Sequence, residues 1–375
     1  MKKIKVHVWR TDNQLKGIKT FFKEINLNRY IKCNDKVIIK PNFVAPRQNK
    51  SGATTSLELI KSVSDTIHNL NAIPYLFEMP GMEFKFEEVY NYLDIYNFCK
   101  NNKLKLLNPE KVEFIKVAIP GAKFLKTVEI PKILLEYKII NLPVMKTHVI
   151  TQVTLGCKNI MGFCSDKSKR KMHIIGIHRA IADLNLLINP DYTIIDGINS
   201  MDGDGAVYGD LKRTNILIGS ENTFAADAVA CDFMNIDLHK VQYLKRIENN
   251  RQVATEIIGS FEPQKFSLPR HKLIYKFFYW SLYVVDLLFN KFFNQHFNEF
   301  LYKSGYVGSH PKIKYTEYCK TCKKCINNCS VDAINSDFMI DSKTCLRCLD
   351  CVDVCPKNNI IVKGFSKPGH EKKYN

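Results

Sequence analysis

The sequence predicts an α/β protein, a mostly parallel sheet with helices on both faces, followed by a small cysteine-rich α+β domain. Three observations carry this. Short apolar runs alternate with stretches of helical period through the first 260 residues, which is the pattern of strand–helix–strand units. Eight of the 13 cysteines fall between Cys319 and Cys355. A chain of 375 residues has room for about two to three domains. Its 45% hydrophobic and 25% charged content excludes a disordered, collagenous or coiled-coil chain.

The elements follow in order. Residues 4–9 alternate apolar and polar, as a strand does. Residues 37–40 form a short apolar strand that runs into Pro41-Asn42. Leu57, Ile60, Val63, Ile67 and Leu70 recur at helical spacing, so 56–70 is a helix. A strand at 73–77 and a helix at 87–100 follow. Strands are expected at 114–118, 124–130 and 139–143. A helix at 174–188 leads to a strand at 192–196. A strand at 216–219 and a helix at 223–234 complete the alternation. In such sheets ligands sit outside the carboxyl ends of the strands, and several polar segments directly follow predicted strands.

Residues 261–311 differ. Between 275 and 306 lie 13 of the chain's 42 aromatic residues, and apolar pairs recur with an amphipathic helical rhythm. Lys276 and Asp286 interrupt the run, so a spanning helix is not expected. The segment reads as an aromatic helical insert or linker. Its 273–301 stretch either packs on the α/β domain or makes a peripheral membrane contact. The expected domains are therefore 1–260, the insert 261–311, a cysteine-rich domain 312–363 and a basic tail 364–375.

The formal charge is +18, from 55 Lys+Arg against 37 Asp+Glu. The lysines are scattered, whereas a nucleic-acid footprint is a concentrated patch. This argues against nucleic acid and leaves an anionic membrane face or acidic partner. The basic N-terminus lacks the continuous apolar stretch of a secretory signal. The expected location is the cytoplasm, with membrane association left open. There the cysteines stay reduced and can ligate metal.

Cys319-x2-Cys322-x2-Cys325-x3-Cys329 is followed by Cys345-x2-Cys348-x2-Cys351-x3-Cys355-Pro356. Each run has the bacterial ferredoxin spacing for a [4Fe–4S] cluster. A tight loop can present three thiolates to one cubane while the fourth reaches the other. Cys319, Cys322, Cys325 and Cys355 would hold one cluster, and Cys345, Cys348, Cys351 and Cys329 the second. A four-cysteine zinc site, which favours two CxxC pairs, fits the two complete runs poorly. Residues 338–341 would form the strand returning between the runs. This region resembles the bacterial dicluster ferredoxin fold, with Ser330 where that family usually carries proline.

In the larger domain, chemically capable residues crowd 146–185: Lys146, His148, Lys158, Asn159, His173, His178 and Asp183. Lys40 and Asn42 precede them at a strand end, and Asp196 follows in another strand. Three strand ends would converge on one edge of the sheet. Lys146, His148, Lys158 and His173 are the catalytic candidates, since histidine and lysine suit proton transfer and anion binding. Lys40, Asn42, Asn159 and Asp196 are the candidates for holding a ligand or cofactor. Asp202-Gly203-Asp204-Gly205 lacks the spacing of an EF-hand and reads as a turn. Cys157 and Cys164 read as buried thiols. No Rossmann glycine fingerprint or Walker A loop is present.

The ordered set KPN, NLPVMKTH, LGCKNIMG, the helix containing ADLN, and TIIDGINSMDGDG resembles the domain of unknown function 362 family. The resemblance covers roughly residues 35–235. It implies a fusion to a dicluster ferredoxin domain, as here, and supplies no reaction. The expected function is an iron–sulfur oxidoreductase in which two [4Fe–4S] clusters serve a site in the α/β domain. Two alternatives stand beside it: a non-catalytic electron carrier docked on a redox partner, and a metal-assisted non-redox enzyme with structural clusters. An additional metal or organic cofactor in the α/β domain is left open. Partners would be a redox protein or a small-molecule substrate.

Overall fold

The computed structural model describes residues 3–10, 14–249, 253–269, 309–329, 332–342, 344–345 and 350–364. They divide into two compact units. The first comprises 1–146, 151–200 and 213–266, and the second 147–150, 201–212 and 267–375.

The first unit is built on one sheet. Its strands are β1 (Ile4–Arg10), β2 (Lys36–Lys40), β3 (Ile73–Leu76), β4 (Lys105–Leu106), β7 (Lys138–Asn141), β10 (Tyr192–Asp202, of which 192–200 belong to this unit), β11 (Asp210–Ser220, of which 213–220 belong to this unit) and β12 (Thr255–Ile258). They lie in the order β12-β1-β11-β10-β7-β2-β3-β4. Two short strands, β8 (Val144–His148) and β9 (Gln152–Thr154), branch from this path. The pairs β10–β7, β7–β2, β2–β3, β3–β4 and β1–β12 are parallel, while β1–β11 is antiparallel. The sheet is thus mixed and mostly parallel. A hairpin of β5 (Phe114–Ala118) and β6 (Thr127–Pro131) forms a separate two-stranded sheet.

Period-two alternation covers both faces. Val37 and Ile39 of β2 join a core with Ile18 and Phe21 of α1 (Gln14–Glu24) and Leu59, Ile60 and Val63 of α2 (Leu57–Asn69). Tyr90 of α3 (Phe86–Tyr92) and Ile95 of α4 (Ile95–Asn101) complete that layer. Ile38, equally buried, points the other way. On that face Thr193 of β10 meets α5 (Gly156–Asn159) and α8 (Thr223–Phe233). The helices α6 (Asp166–Ile175), α7 (Ile177–Leu187) and α9 (Gln242–Glu248) stack beside them.

Several expected elements are corrected. The helix expected over 87–100 is two, α3 and α4, because Asp94 takes a left-handed conformation (φ 53°) that aspartate tolerates. The helix expected over 174–188 is also two. Gly176 at φ 102° stops α6 and opens α7, which a side-chain-bearing residue resists. The strand expected from 124 begins at Thr127 and belongs to the separate hairpin. β10 and β11 run longer than expected at both ends that face the 203–209 turn.

The second unit contains α10 (Glu317–Cys322), α11 (Lys324–Asn327), α12 (Asp350–Asp353) and an antiparallel pair, β13 (Ser309–Ile313) and β14 (Ile360–Gly364). The strand expected over 338–341 is reduced to a bridge between Ile334 and Ile340. The 273–301 segment, Cys348 and residues 365–375 lie outside the described residues. Among the described residues no helix is long and apolar enough to cross a membrane.

Candidate functional site

The site in the first unit grows from strand ends. Lys40 closes β2 and is fully buried, as is Asn141 at the end of β7. The chain after β3 supplies Glu78, which forms an ion pair with Lys40. Lys146 in β8 donates to Asn42 Oδ1 at 2.8 Å and to the Ala53 carbonyl at 2.7 Å. Asn42 Nδ2 donates to Asn159 Oδ1 at 2.8 Å, and Asn159 Nδ2 donates to Asn141 Oδ1 at 2.8 Å. Lys40, Asn42, Lys146 and Asn159, four of the residues expected from sequence, therefore share one buried polar network.

Its charge is unbalanced. Lys169 of α6 is buried and donates to the Pro80 carbonyl at 2.8 Å, with Asp166 one turn away at 3.5 Å. Lys158 has no hydrogen-bond acceptor or ion-pair partner among the described residues. Burial is the main cause that lowers its ammonium to a pKa of about 8; Lys169 adds to this, and Glu83 and Glu78 oppose it. Lys146 falls well below its ordinary value through burial and the charge of Lys158. Burial pulls Lys40 down and pushes Glu78 up, each opposed by the charge of the other. His173 drops to about 4 through burial, then through Lys158 and Lys169, so it is neutral at physiological pH. Four lysines thus surround one buried carboxylate, a setting that favours an anionic ligand.

The glycines of the LGCKNIMG segment have steric reasons. A Cβ on Gly162 would lie 2.5 Å from Lys40 Nζ and from Glu78 Oε2, so only glycine leaves space for that ion pair. A Cβ on Gly156 would meet Thr223 at 2.6 Å and Asp227 Oδ1 at 2.9 Å. Asp227 accepts the Gly156 and Cys157 amides at 2.7 and 2.8 Å, which fixes the turn carrying Lys158 and Asn159. Burial raises the Asp227 carboxyl to about 7.

Other expected residues have different settings. Asp196 lies within β10 and accepts the Ser56 amide at 2.9 Å and the Ile198 amide at 3.2 Å, holding the entry to α2. Asp183 accepts three backbone amides from 123–125, which pins the hairpin loop to α7. The His178 ring stacks on Tyr243 with centroids 6.3 Å apart. His148 belongs to the second unit, where its Nδ1 accepts the Ile150 amide at 3.0 Å. In the same unit Asp202 accepts the Gly203 and Ser267 amides, as a turn residue does. Cys157 and Cys164 are buried, and burial raises the Cys164 thiol to about 12. Glu78, Asn141, Lys169 and Asp227 are absent from the sequence-based set. Glu78 carried a usable signal, a carboxylate directly after an apolar strand; Lys169, inside a basic helix, carried none.

In the second unit the two cysteine runs repeat with matching geometry. The Ala333 amide donates to Cys329 Sγ at 3.3 Å, and the Asn359 amide donates to Cys355 Sγ at 3.2 Å. Asp332 and Asn358, each one residue earlier, are both left-handed at φ 50° and 52°. Cys325, Cys351 and Cys355 pack on a small core of Val352 and Ile360. Asn359 Nδ2 lies 3.7 Å from Cys319 Sγ, and the Thr316 hydroxyl lies 3.4 Å from it. Hydrogen bonding, first from the Thr316 hydroxyl, lowers the Cys319 thiol. Among the described residues no three His, Cys, Asp or Glu side chains converge as a metal-ligand set. The donor chemistry nevertheless suits cluster ligation, because N–H groups aimed at sulfur stabilise thiolate ligands.

Fold and site together define an α/β protein whose strand ends meet at a buried lysine–asparagine network. The family described as Domain of unknown function (DUF362) matches residues 37–232, just over half of the chain, and the protein belongs to that family. A thylakoid-associated protein of Synechocystis sp. is 26% identical over 222 residues, which is 56% of this chain and 66% of that protein. The chain therefore spans slightly less than two thirds of that relative's length. A crystal structure of a Thermotoga maritima protein aligns with 59% of each chain, at 14% identity and a TM-score of 0.38.

Proposed function

We propose that the protein is an iron–sulfur oxidoreductase whose α/β unit binds an anionic substrate. The observation that carries the substrate side is Lys158. Among the described residues this amine has no hydrogen-bond or ion-pair partner, and it lies, with a pKa of about 8, beside a neutral His173 and among three further lysines. A substrate carboxylate or phosphate would supply the missing counter-charge. Neutral His173 can then hydrogen-bond the substrate or accept a proton as a weak base. Lys40, Lys146, Asn42 and Asn159 hold the network that positions Lys158. His148 is kept as a second proton-transfer candidate on its chemistry.

The eight cysteines Cys319, Cys322, Cys325, Cys355, Cys345, Cys348, Cys351 and Cys329 would hold two [4Fe–4S] clusters in a ferredoxin-like domain. Their spacing and the matched N–H···S bonds at Cys329 and Cys355 support this reading. When bound, such clusters carry single electrons. Protein purified without oxygen should contain about eight irons and eight sulfides per chain. Zinc in their place overturns the cluster assignment. Metabolites should then be screened for turnover with a chemical reductant. Lys158→Ala and His173→Ala should each abolish that turnover while leaving iron content unchanged. Full turnover in both variants refutes the site.

A second reading has its own support: peripheral work at a membrane. The Synechocystis relative is described as thylakoid-associated, and the net charge of +18 suits an anionic surface. On this reading the clusters relay electrons to a membrane-bound partner.

A further inference from the structure

We propose that the tip of the β5–β6 hairpin, together with the end of α6, is a docking surface for anionic lipid. This rests on the reading that the protein works at a membrane, and it names the surface that does so. The hairpin and α6 run side by side. Lys167 Nζ lies 3.2 Å from Glu129, and the Glu129 amide donates to Ser168 Oγ at 2.9 Å. One turn further along α6, Lys171 Nζ reaches Thr127 at 3.3 Å. The next residue on that helical face is Ile174, three positions beyond Lys171. It therefore comes level with the hairpin tip at 124–125. From the other side, Arg179 of α7 lies over the Phe124 ring at 4.8 Å, and Asp183 holds the backbone of 123–125.

Two large apolar side chains, one on α6 and one on the hairpin beside it, are exposed to solvent. Ile174 is 65% exposed and Phe124 is 40% exposed. Exposed cations surround them: Lys123, Lys126, Arg170, Lys171 and Arg179. The nearby carboxylates are engaged, Glu129 by Lys167 and Ser165, and Asp183 by three backbone amides. An apolar tip ringed by lysine and arginine matches a lipid interface, with side chains entering the acyl boundary and cations at the headgroups. An acidic protein face would match the cations and leave Phe124 and Ile174 without a purpose. The rigid attachment through Asp183 means the tip needs no ordering on contact.

The test is sedimentation of the full chain with vesicles of phosphatidylglycerol and phosphatidylcholine, against phosphatidylcholine alone. Wild type should bind the anionic vesicles and lose binding in high salt. The triple variant Lys123→Gln, Lys126→Gln, Lys171→Gln should weaken binding roughly a hundredfold, from about a tenfold loss or less per cation. Phe124→Ser with Ile174→Ser should weaken it by about tenfold or more. Circular dichroism should show both variants folded, since all five residues are exposed. A control triple on other elements, Lys61→Gln, Lys85→Gln, Lys100→Gln, should leave binding near wild type. An equal loss in the control overturns the patch in favour of net charge. Charge-dependent vesicle binding that survives the Phe124 and Ile174 changes overturns the part of the proposal in which these side chains enter the acyl boundary. Absence of any wild-type binding refutes the membrane reading itself. Binding that neither patch variant alters refutes this surface alone.

Discussion

Lys158 shows how burial and neighbouring charge set the behaviour of one side chain. With a pKa of about 8 it is partly an uncharged amine at physiological pH, when an ordinary lysine is almost wholly protonated. Acylation by an amine reagent, mapped by mass spectrometry, should rise at Lys158 with a midpoint near pH 8. A midpoint near 10, the ordinary lysine range, contradicts the setting described. Stability follows the same logic. The folded pKa lies below the unfolded one, so the unfolded chain holds more protons between them. The protein is therefore stabilised as pH rises from about 8 towards about 10.4, and bears the cost of the charged form below that window. At this scale the sequence was a partial guide. Lys40, Asn42 and Lys146 stood out because they close or follow apolar strands, and Asn159 because it lies in the run of polar residues over 146–185. Lys169 did not, because its burial depends on the carbonyls of Met79 and Pro80 about 90 positions away.

At the scale of elements, the turn Gly156–Asn159 is held by a helix distant in sequence. Asp227 of α8 accepts both leading amides of that turn. Asp227→Ala leaves two buried donors without a partner and should cost about 2–4 kcal/mol, read as a lower urea midpoint. Asp227→Asn, which retains one acceptor, should cost less. An unchanged midpoint in the alanine variant contradicts the role. The strands were legible because their apolar runs are short and bounded by turn residues. The breaks at Asp94 and Gly176 were less so. Each depends on one left-handed or positive-φ residue inside an otherwise continuous helical pattern, where periodicity alone sees no interruption. The antiparallel partnering of β1 with β11 was also hidden, since strand direction depends on connections and not on local composition.

At the scale of the whole molecule, the two units should respond differently to loss of the proposed clusters. Calorimetry of the full chain should show two transitions, and removing iron with a chelator should lower only one of them. Loss of both to the same extent argues that the clusters do not reside in the second unit alone. The cysteine-rich region announced itself through spacing, a purely local property. The assignment of 147–150 and 201–212 to the second unit did not, because no signal in those short segments records which residues they accompany.

The meeting of Lys40, Glu78 and Gly162 has a consequence for how such a chain can drift over generations. The three positions are mutually exclusive with their common replacements. An alanine at 162 expels the ion pair, and the loss of either charged partner strands the other in the interior. None can be exchanged first without passing through a weakened intermediate. Related sequences should therefore keep the trio intact or change it as a block, and a lineage carrying alanine at 162 should also lack one or both charges.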